Sequence, residues 1–257
     1  FIGVPTMYSA LIAAQENHQH DISSLKFCIS GGAPLPAPVQ RDFEKATGCA
    51  LLEGYGLSET GPVCTVNPVT GVNKAGSVGL PLPGTIVEIV SLDDPDRFLA
   101  QGEQGEICIT GPQVMAGDAN RAQDNKDVFR GRRLRTGDVG YLDEDGYLFI
   151  VDRIKELIKY KGYQVAPAEL EALLLTHSAI ADAAVIPSPD EEAGEIPKAF
   201  VVLKQEISPE EIMKFIAEAV APHKKIRKVE IVDEIPKSAS GKILRRILVE
   251  KERKLRG

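Results

Sequence analysis

The run Asp152-Arg-Ile-Lys-Glu-Leu-Ile-Lys-Tyr-Lys-Gly-Tyr-Gln-Val-Ala-Pro-Ala-Glu-Leu-Glu171 decides how the rest of the chain is read. It follows an apolar stretch, Tyr147–Val151, that reads as a strand. A strand that ends in a charged, solvated pair, Asp152-Arg153, and restarts as a new amphipathic unit predicts a junction between two domains. Lysines then crowd around Gly162, a residue that can take backbone angles closed to others. Pro167 stands at the first position of an expected helix, with acids in its first turn. Hinge, basic glycine loop and helix start together predict a small domain that swings over an anionic ligand.

At 257 residues the chain is long enough for one large or two ordinary domains. A net charge of −7 argues against a general nucleic-acid surface. The charge is unevenly shared: residues 1–153 carry 12 basic and 20 acidic side chains, residues 154–257 carry 18 and 17. The basic end (Arg245, Arg246, Lys251, Arg253, Lys254, Arg256) reads as a solvated helix terminus whose cations suit the helix dipole. Cys28, Cys49, Cys64 and Cys108 are widely spaced, which fits reduced thiols in a cytoplasmic protein better than a disulfide frame or zinc site. His18 and His20 read as surface histidines rather than metal ligands. No transmembrane run and no signal peptide is visible. The chain opens without Met on Phe1-Ile-Gly-Val4, as if in mid-domain, and reads as a fragment.

Pro5–Gln15 reads as a helix, Leu25–Ser30 as a strand, residues 36–47 as a helix closed by Gly48, and Ala50–Glu53 as a short buried strand. From residue 76 to 151 the pattern turns to β, with Thr85–Ser91, Gly105–Thr110 and Gly146–Val151 between Gly, Pro and Asp turns. Beyond the hinge, a helix over 167–176 precedes strands at Ala183–Ile186 and Ala199–Lys204. Ser208-Pro-Glu-Glu211 is a capping box opening a helix through Val220; Val229–Val232 leads to a loop, Lys237–Lys242, and a final helix. The fold class is thus an α/β portion (about 1–75) and a β-rich subdomain (about 76–151), followed by a compact α+β domain over 154–257.

Ser30-Gly-Gly-Ala-Pro-Leu35 joins a strand to a helix, so paired glycines and helix N–H groups could meet a ligand there, or the run could be only a tight turn. Gly54-Tyr-Gly-Leu-Ser-Glu-Thr-Gly61 places an aromatic face between glycines. Its Ser58, Glu59 and Thr60 supply hydroxyls and a carboxylate suited to phosphate and Mg²⁺. Arg135-Thr-Gly-Asp138 sets a carboxylate at a turn, where it could accept both hydroxyls of a ribose or serve only the turn. Lys237-Ser-Ala-Ser-Gly-Lys242 holds a lysine in a small loop, able to enter beside developing negative charge or simply to be solvated. It is not a P-loop, because the required glycine spacing fails.

In this order and spacing the segments resemble the adenylate-forming superfamily of acyl-CoA synthetases, 4-coumarate–CoA ligases, beetle luciferases and nonribosomal adenylation domains. The resemblance covers essentially the whole chain and rests on G-Y-G-L-S-E-T-G-P, R-T-G-D, D-R-I-K-E-L-I-K-Y-K-G-Y-Q-V-A-P-A-E-L-E and P-K-S-x-S-G-K. It implies that residues 1–151 are the back part of a large AMP-binding domain, 152–153 a hinge and 154–257 a C-terminal lid. It further implies that Gly32, Ala33 and Pro34 wall the adenine pocket and Tyr55 stacks on the base. Thr60 would contact the α-phosphate, Glu59 hold Mg²⁺, and Asp138 and Arg153 take the ribose hydroxyls. Lys242 is similar to the adenylation lysine; Lys159 and Gln164 would face the nucleotide; Lys161 and Gly162 would line the CoA channel; Asp152 or Lys155 would be the swivel. Gly54, Pro62 and Val63 are implied walls of the acyl pocket.

The implied activity is ATP-dependent: an acid attacks the α-phosphorus of ATP, and CoA then attacks the mixed anhydride. Both nucleophiles arrive with the substrates, so the protein needs cations and positioning rather than a Ser-His-Asp set. Alternatives are an adenylation domain that loads a carrier protein, or a noncatalytic remnant kept as a binding module. The family's β- and γ-phosphate loop is absent from these residues, which predicts an inactive isolated chain. Asp118, Arg133 and Ser188 stand where relatives of this kind carry other residues, and are expected to weaken packing rather than chemistry.

Overall fold

The structure is a computed structural model that describes residues 1–18 and 21–254. His20 and Arg256 lie outside the described residues, as does the His18 side chain. The chain divides into two compact units, Phe1–Ile150 with Ala239–Lys242, and Val151–Ser238 with Ile243–Gly257.

The first unit opens with β1 (Ile2–Gly3), α1 (Pro5–His18), β2 (Phe27–Ser30), α2 (Ala37–Thr47), β3 (Ala50–Tyr55), β4 (Thr65–Val66) and β5 (Leu80–Pro81). These strands form one sheet in the order β1-β2-β3-β4-β5, parallel through β3 and antiparallel beyond it. Pro36 precedes the first turn of α2, and Gly48 closes the helix in the left-handed region (φ 67°), returning its N–H to Glu44 O. Tyr8, Cys28, Phe43, Cys49 and Leu51 form the core here.

A second sheet follows: β6 (Ile86–Val90), β7 (Gly105–Thr110), a short α3 (Ala122–Val128), β8 (Phe129–Arg130), β9 (Arg133–Leu142) and β10 (Leu148–Arg153). The order is β10-β9-β7-β6, with β8 paired to β9. The R-T-G-D run is therefore not a turn between strands but part of β9, kinked at Gly137 (φ 72°). The kink faces an irregular register in β7 between Glu106 and Cys108. Arg133 covers the ring of Phe98, its guanidinium carbon 4.7 Å from the centroid. Asp118 is held through its backbone, with Asp118 N–H donating to Asn125 Oδ1 (2.8 Å) and Asn125 Nδ2 to Asp118 O (2.9 Å).

The second unit contains β11 (Ile158–Tyr160), β12 (Tyr163–Val165), α4 (Pro167–Leu174), β13 (Ile180–Asp190), β14 (Gly194–Leu203), α5 (Pro209–Ala219), β15 (Lys228–Ile231) and α6 (Arg245–Lys254). Its sheet runs β12-β11-β14-β13, with β15 parallel to β14. The expected strands at Ala183–Ile186 and Ala199–Lys204 are the inner parts of a long hairpin. Its outer part carries Pro187 directly opposite Pro197, a pairing allowed where neither residue must donate across the ladder. Ser188, within this run, is buried and donates to Glu252 Oε1 (2.8 Å). The Ser208 capping box forms reciprocally, with Glu211 N–H donating to Ser208 Oγ (3.2 Å) and Ser208 N–H to Glu211 Oε2 (3.0 Å).

The expectation of a solvated pair after Val151 is corrected. The strand continues through Arg153, and Asp152 is only 6% exposed. The reason is α4, whose N-cap is Ala166, a residue with no side-chain acceptor. Asp152 supplies the acceptor from a distance: Ala168 N–H donates to Oδ2 and Arg153 N–H to Oδ1, each at 2.8 Å.

Candidate functional site

In the first unit the candidate residues gather where parallel strands end. Ser30 of β2 is in register with Glu53 of β3, so Gly31-Gly32 leaves the sheet beside Gly54 and Tyr55, the last two residues of β3. The carboxyl end of such strands is where open α/β sheets bind ligands. Gly32 has φ 79°, and a Cβ on Gly31 would stand 3.4 Å from Gly54 O, so two backbones approach closely here. Ser30 Oγ is buried at this turn with no hydrogen-bond partner among the described residues. Glu53 is buried beneath it and accepts from Leu35 N–H (2.9 Å), tying the Gly-Gly-Ala-Pro segment to β3. Burial pushes the Glu53 carboxyl up to about 7, against the opposing pull of that N–H.

Tyr55 and Asp138, from different sheets, meet directly: the phenol donates to Asp138 Oδ2 at 2.6 Å. Burial, then the Asp138 charge, raises the Tyr55 phenol, which therefore stays a donor. Behind Asp138 a buried carboxylate organises the kink. Arg135 forks onto Glu106 Oε2 through Nε (2.9 Å) and Nη2 (2.7 Å), while Gly137 N–H donates to Glu106 Oε1 (3.2 Å). Thr136 Oγ1 donates to Ile107 O (2.7 Å) and accepts from Asp138 N–H (3.1 Å).

The turn after Gly56 separates residues that the sequence grouped together. A Cβ on Gly56 would lie 1.8 Å from Pro62 O, so only glycine fits. Thr60 faces inward: it is fully buried, its Oγ1 accepting from Leu57 N–H (2.9 Å) and donating to Leu57 O (3.0 Å). The hydroxyl expected at the α-phosphate is thus occupied within the turn, while Ser58 and Glu59 are the exposed members. Gly54 is small because a Cβ there would stand 3.1 Å from Thr65 O; Pro62 and Val63 are exposed. Among the described residues no three His, Cys, Asp or Glu side chains gather as a metal cage. The exposed Glu59 carboxylate is a hard oxygen donor of the kind a magnesium ion takes, and would be the residue to hold one.

In the second unit, β11 and β12 form a two-residue hairpin with Lys161 (φ 47°) and Gly162 (φ 84°) at its tip. Positive φ at both positions is the type I′ pattern, whose twist suits a hairpin. Tyr160 pairs with Tyr163, and the next pair is Lys159 with Gln164, both exposed on one face while Ile158 and Val165 point to the core. Lys161 forms an ion pair with Glu192, so the basic tip is partly neutralised. Arg153 ends β10, and Lys155 is exposed in the 3₁₀ turn Ile154–Glu156. Exposed Lys242 ends a loop whose base is closed by a bridge between Lys237 and Ile243 and by Leu244 N–H donating to Pro236 O (2.8 Å). Glu53, Glu106 and the inward turn of Thr60 were not read from the sequence; the S-E-T spacing alone gives no sign of which hydroxyl faces in.

Profiles of two families match the chain: AMP-binding enzyme over residues 1–117 and AMP-binding enzyme C-terminal domain over residues 169–242. The chain is 44% identical to 4-coumarate–CoA ligase 1 of Glycine max, covering 95% of this chain and 86% of that sequence. It is 45% identical to a long-chain-fatty-acid–CoA ligase of Bacillus subtilis, covering 98% of this chain but 45% of the relative. Its fold matches ATP-bound MatB from Rhodopseudomonas palustris with TM-score 0.91 and 32% identity, over 99% of this chain and 51% of that one. An anthranilate–CoA ligase bound to anthranoyl-AMP matches with TM-score 0.82 and 32% identity, over 98% and 49%.

The chain has a mixed α/β fold and belongs to the AMP-binding enzyme family. It spans about half the length of several curated relatives it matches, including the Bacillus protein at 45%. No helix among the described residues is long and apolar enough to cross a membrane.

Proposed function

We propose that the intact protein is an ATP-dependent acid–thiol ligase that makes an acyl-adenylate and then an acyl-CoA thioester. The observation that carries this reading is the Tyr55–Asp138 contact between the end of β3 and β9, with Ser58 and Glu59 exposed on the adjoining turn. Tyr55 presents a ring for the adenine beside the Gly32-Ala33-Pro34 backbone, and Asp138 Oδ1 takes the ribose hydroxyls while Oδ2 is held by the phenol. Ser58 rather than Thr60 is the hydroxyl we assign to the α-phosphate. Magnesium held at Glu59 would supply charge neutralisation for the departing pyrophosphate.

In the first step a substrate carboxylate oxygen bonds to the α-phosphorus and the bond to the bridging oxygen breaks, releasing pyrophosphate. Lys242 is placed in this reading between the carboxylate and the phosphate, where its fixed charge stabilises both. In the second step the CoA sulfur bonds to the acyl carbon and AMP leaves. Residues 1–151, 152–153 and 154–257 act as AMP-binding part, hinge and lid, so one site serves both steps. Asp152 and Lys155 carry the turn between them, Arg153, Lys159 and Gln164 serve the nucleotide, and Lys161-Gly162 the thiol. Relatives named for long-chain fatty acids and 4-coumarate support an acid with an apolar body, near Pro62 and Val63. Four free, buried cysteines support a cytoplasmic location.

Acid-dependent ATP–pyrophosphate exchange, run with the intact protein over aliphatic and aromatic acids, tests the assignment. Absence of exchange with every acid, in a folded preparation that binds ATP, would remove it. The 257-residue chain alone is expected to show no turnover.

A further inference from the structure

The structure assigns a second role around Lys242: we propose that Arg245 is a positioning residue that ties the root of the lysine loop to the hinge. Resting on the reading of Lys242 given above, the proposal concerns a group that touches no substrate.

Arg245 is the first residue of α6, three positions beyond Lys242. Its side chain is 14% exposed, and both edges of the guanidinium are used. Nε donates to Glu171 Oε1 (3.1 Å) and Nη2 to Glu171 Oε2 (2.5 Å), a fork onto α4, while Nη1 is bonded to Glu156 in the turn after β10. Glu171 is itself buried, 6% exposed, and also accepts from Val185 N–H of β13 (2.8 Å). Burial raises the Glu171 carboxyl while the Arg245 charge pulls it back, and the same pairing keeps Arg245 charged. Asp152, whose carboxylate caps α4, lies in the field of the same guanidinium.

One side chain therefore joins the hinge turn, the helix capped by the hinge aspartate and the segment leaving the lysine loop. The loop's other end is held as well, with Lys237 Nζ 2.6 Å from Asp182 Oδ2 on β13. These anchors hold both roots of the loop, Lys237 and Arg245, on the unit that contains residues 152–156. A planar fork fixes direction in a way a flexible ammonium does not. Arg245 thus ties the root of the loop that carries Lys242 to the hinge turn.

Two variants of the intact protein test this, Glu156→Gln and Arg245→Lys. The first keeps the Glu171 fork and releases the hinge; the second keeps the charge and loses the fork. Amide exchange over residues 237–244 should quicken about tenfold in both, with the β13–β14 hairpin unchanged. Acid-dependent ATP–pyrophosphate exchange should lose about tenfold in kcat at constant KM for ATP, while CoA still consumes supplied acyl-adenylate at the original rate. Unchanged amide exchange over 237–244 would overturn the clamp. Equal loss in both half-reactions would reduce Arg245 to a structural role and overturn the positioning claim. Faster amide exchange in a protein whose unmutated form shows no acid-dependent exchange would support the clamp and sink the ligase reading instead.

Discussion

Glu53 offers the sharpest test of how the carboxyl end of the first sheet is built. Its carboxyl is 7% exposed, accepts one N–H from Leu35, and is raised from an ordinary 4.5 to about 7 by burial. The folded chain therefore holds a proton that the unfolded chain releases near 4.5. The associated stability is fully present below pH 4.5 and is lost as pH rises to and through about 7. A shift from 4.5 to about 7, at roughly 1.4 kcal/mol per unit, makes the loss about 3 kcal/mol by pH 8. Glu53→Gln keeps an oxygen for Leu35 N–H and never ionises. Its advantage over the parent should be near constant below pH 4.5 and then grow by about 3 kcal/mol between pH 4.5 and 8. Urea unfolding of the protein followed by far-ultraviolet circular dichroism, repeated along that pH range, measures the difference directly. A pH-independent gap between parent and variant would refute the argument, because it would mean that Glu53 titrates alike in both states.

Other outcomes follow from the turn, the loop and the hairpin. Thr60→Ala strands Leu57 N–H and should cost about 1–2 kcal/mol in unfolding experiments. Ser58→Ala should leave stability within about 0.5 kcal/mol yet lower ATP–pyrophosphate exchange, and the reverse ranking would return the phosphate role to Thr60. Lys242→Ala should depress adenylation by about 10²–10³-fold while sparing thioester formation from supplied acyl-adenylate, as two separate half-reaction assays would show. At Gly162, φ is 84° and a Cβ would touch nothing within 4 Å, so Gly162→Val acts through backbone strain of about 1–2 kcal/mol. It should slow the CoA step more than adenylation, which a comparison of the same two assays decides.

Regular periodicity and turn chemistry made much of the fold legible. Gly48, Pro167 and the Ser208 box each mark a helix end through local backbone needs, and local needs are written in neighbouring residues. The type I′ tip was half legible: Gly162 announces positive φ, but Lys161 at 47° is imposed by the pairing of Tyr160 with Tyr163. Proline hid the length of β13 and β14, since a breaker is tolerated when the residue opposite it asks for no hydrogen bond.

The misreadings share one physical cause, which is that a polar residue's partner can lie far along the chain. Asp152 looks solvated because its neighbours are polar; it is buried because a helix 16 residues later lacks a cap of its own. Asp138 looks like a turn residue because Gly137 precedes it; it is a strand residue because Glu106, 31 positions before Gly137, accepts the N–H that the kink turns aside. Thr60 and Ser58 are chemically alike and two positions apart, and only the closure of Leu57 onto Thr60 decides which hydroxyl is spent inside. Polar residues in this chain are thus sorted into structure and chemistry by tertiary hydrogen bonds. Lys242 is exposed at a loop end, whereas Arg245, three positions on, looks like part of a solvated basic end and is instead a part-buried tie to Glu171.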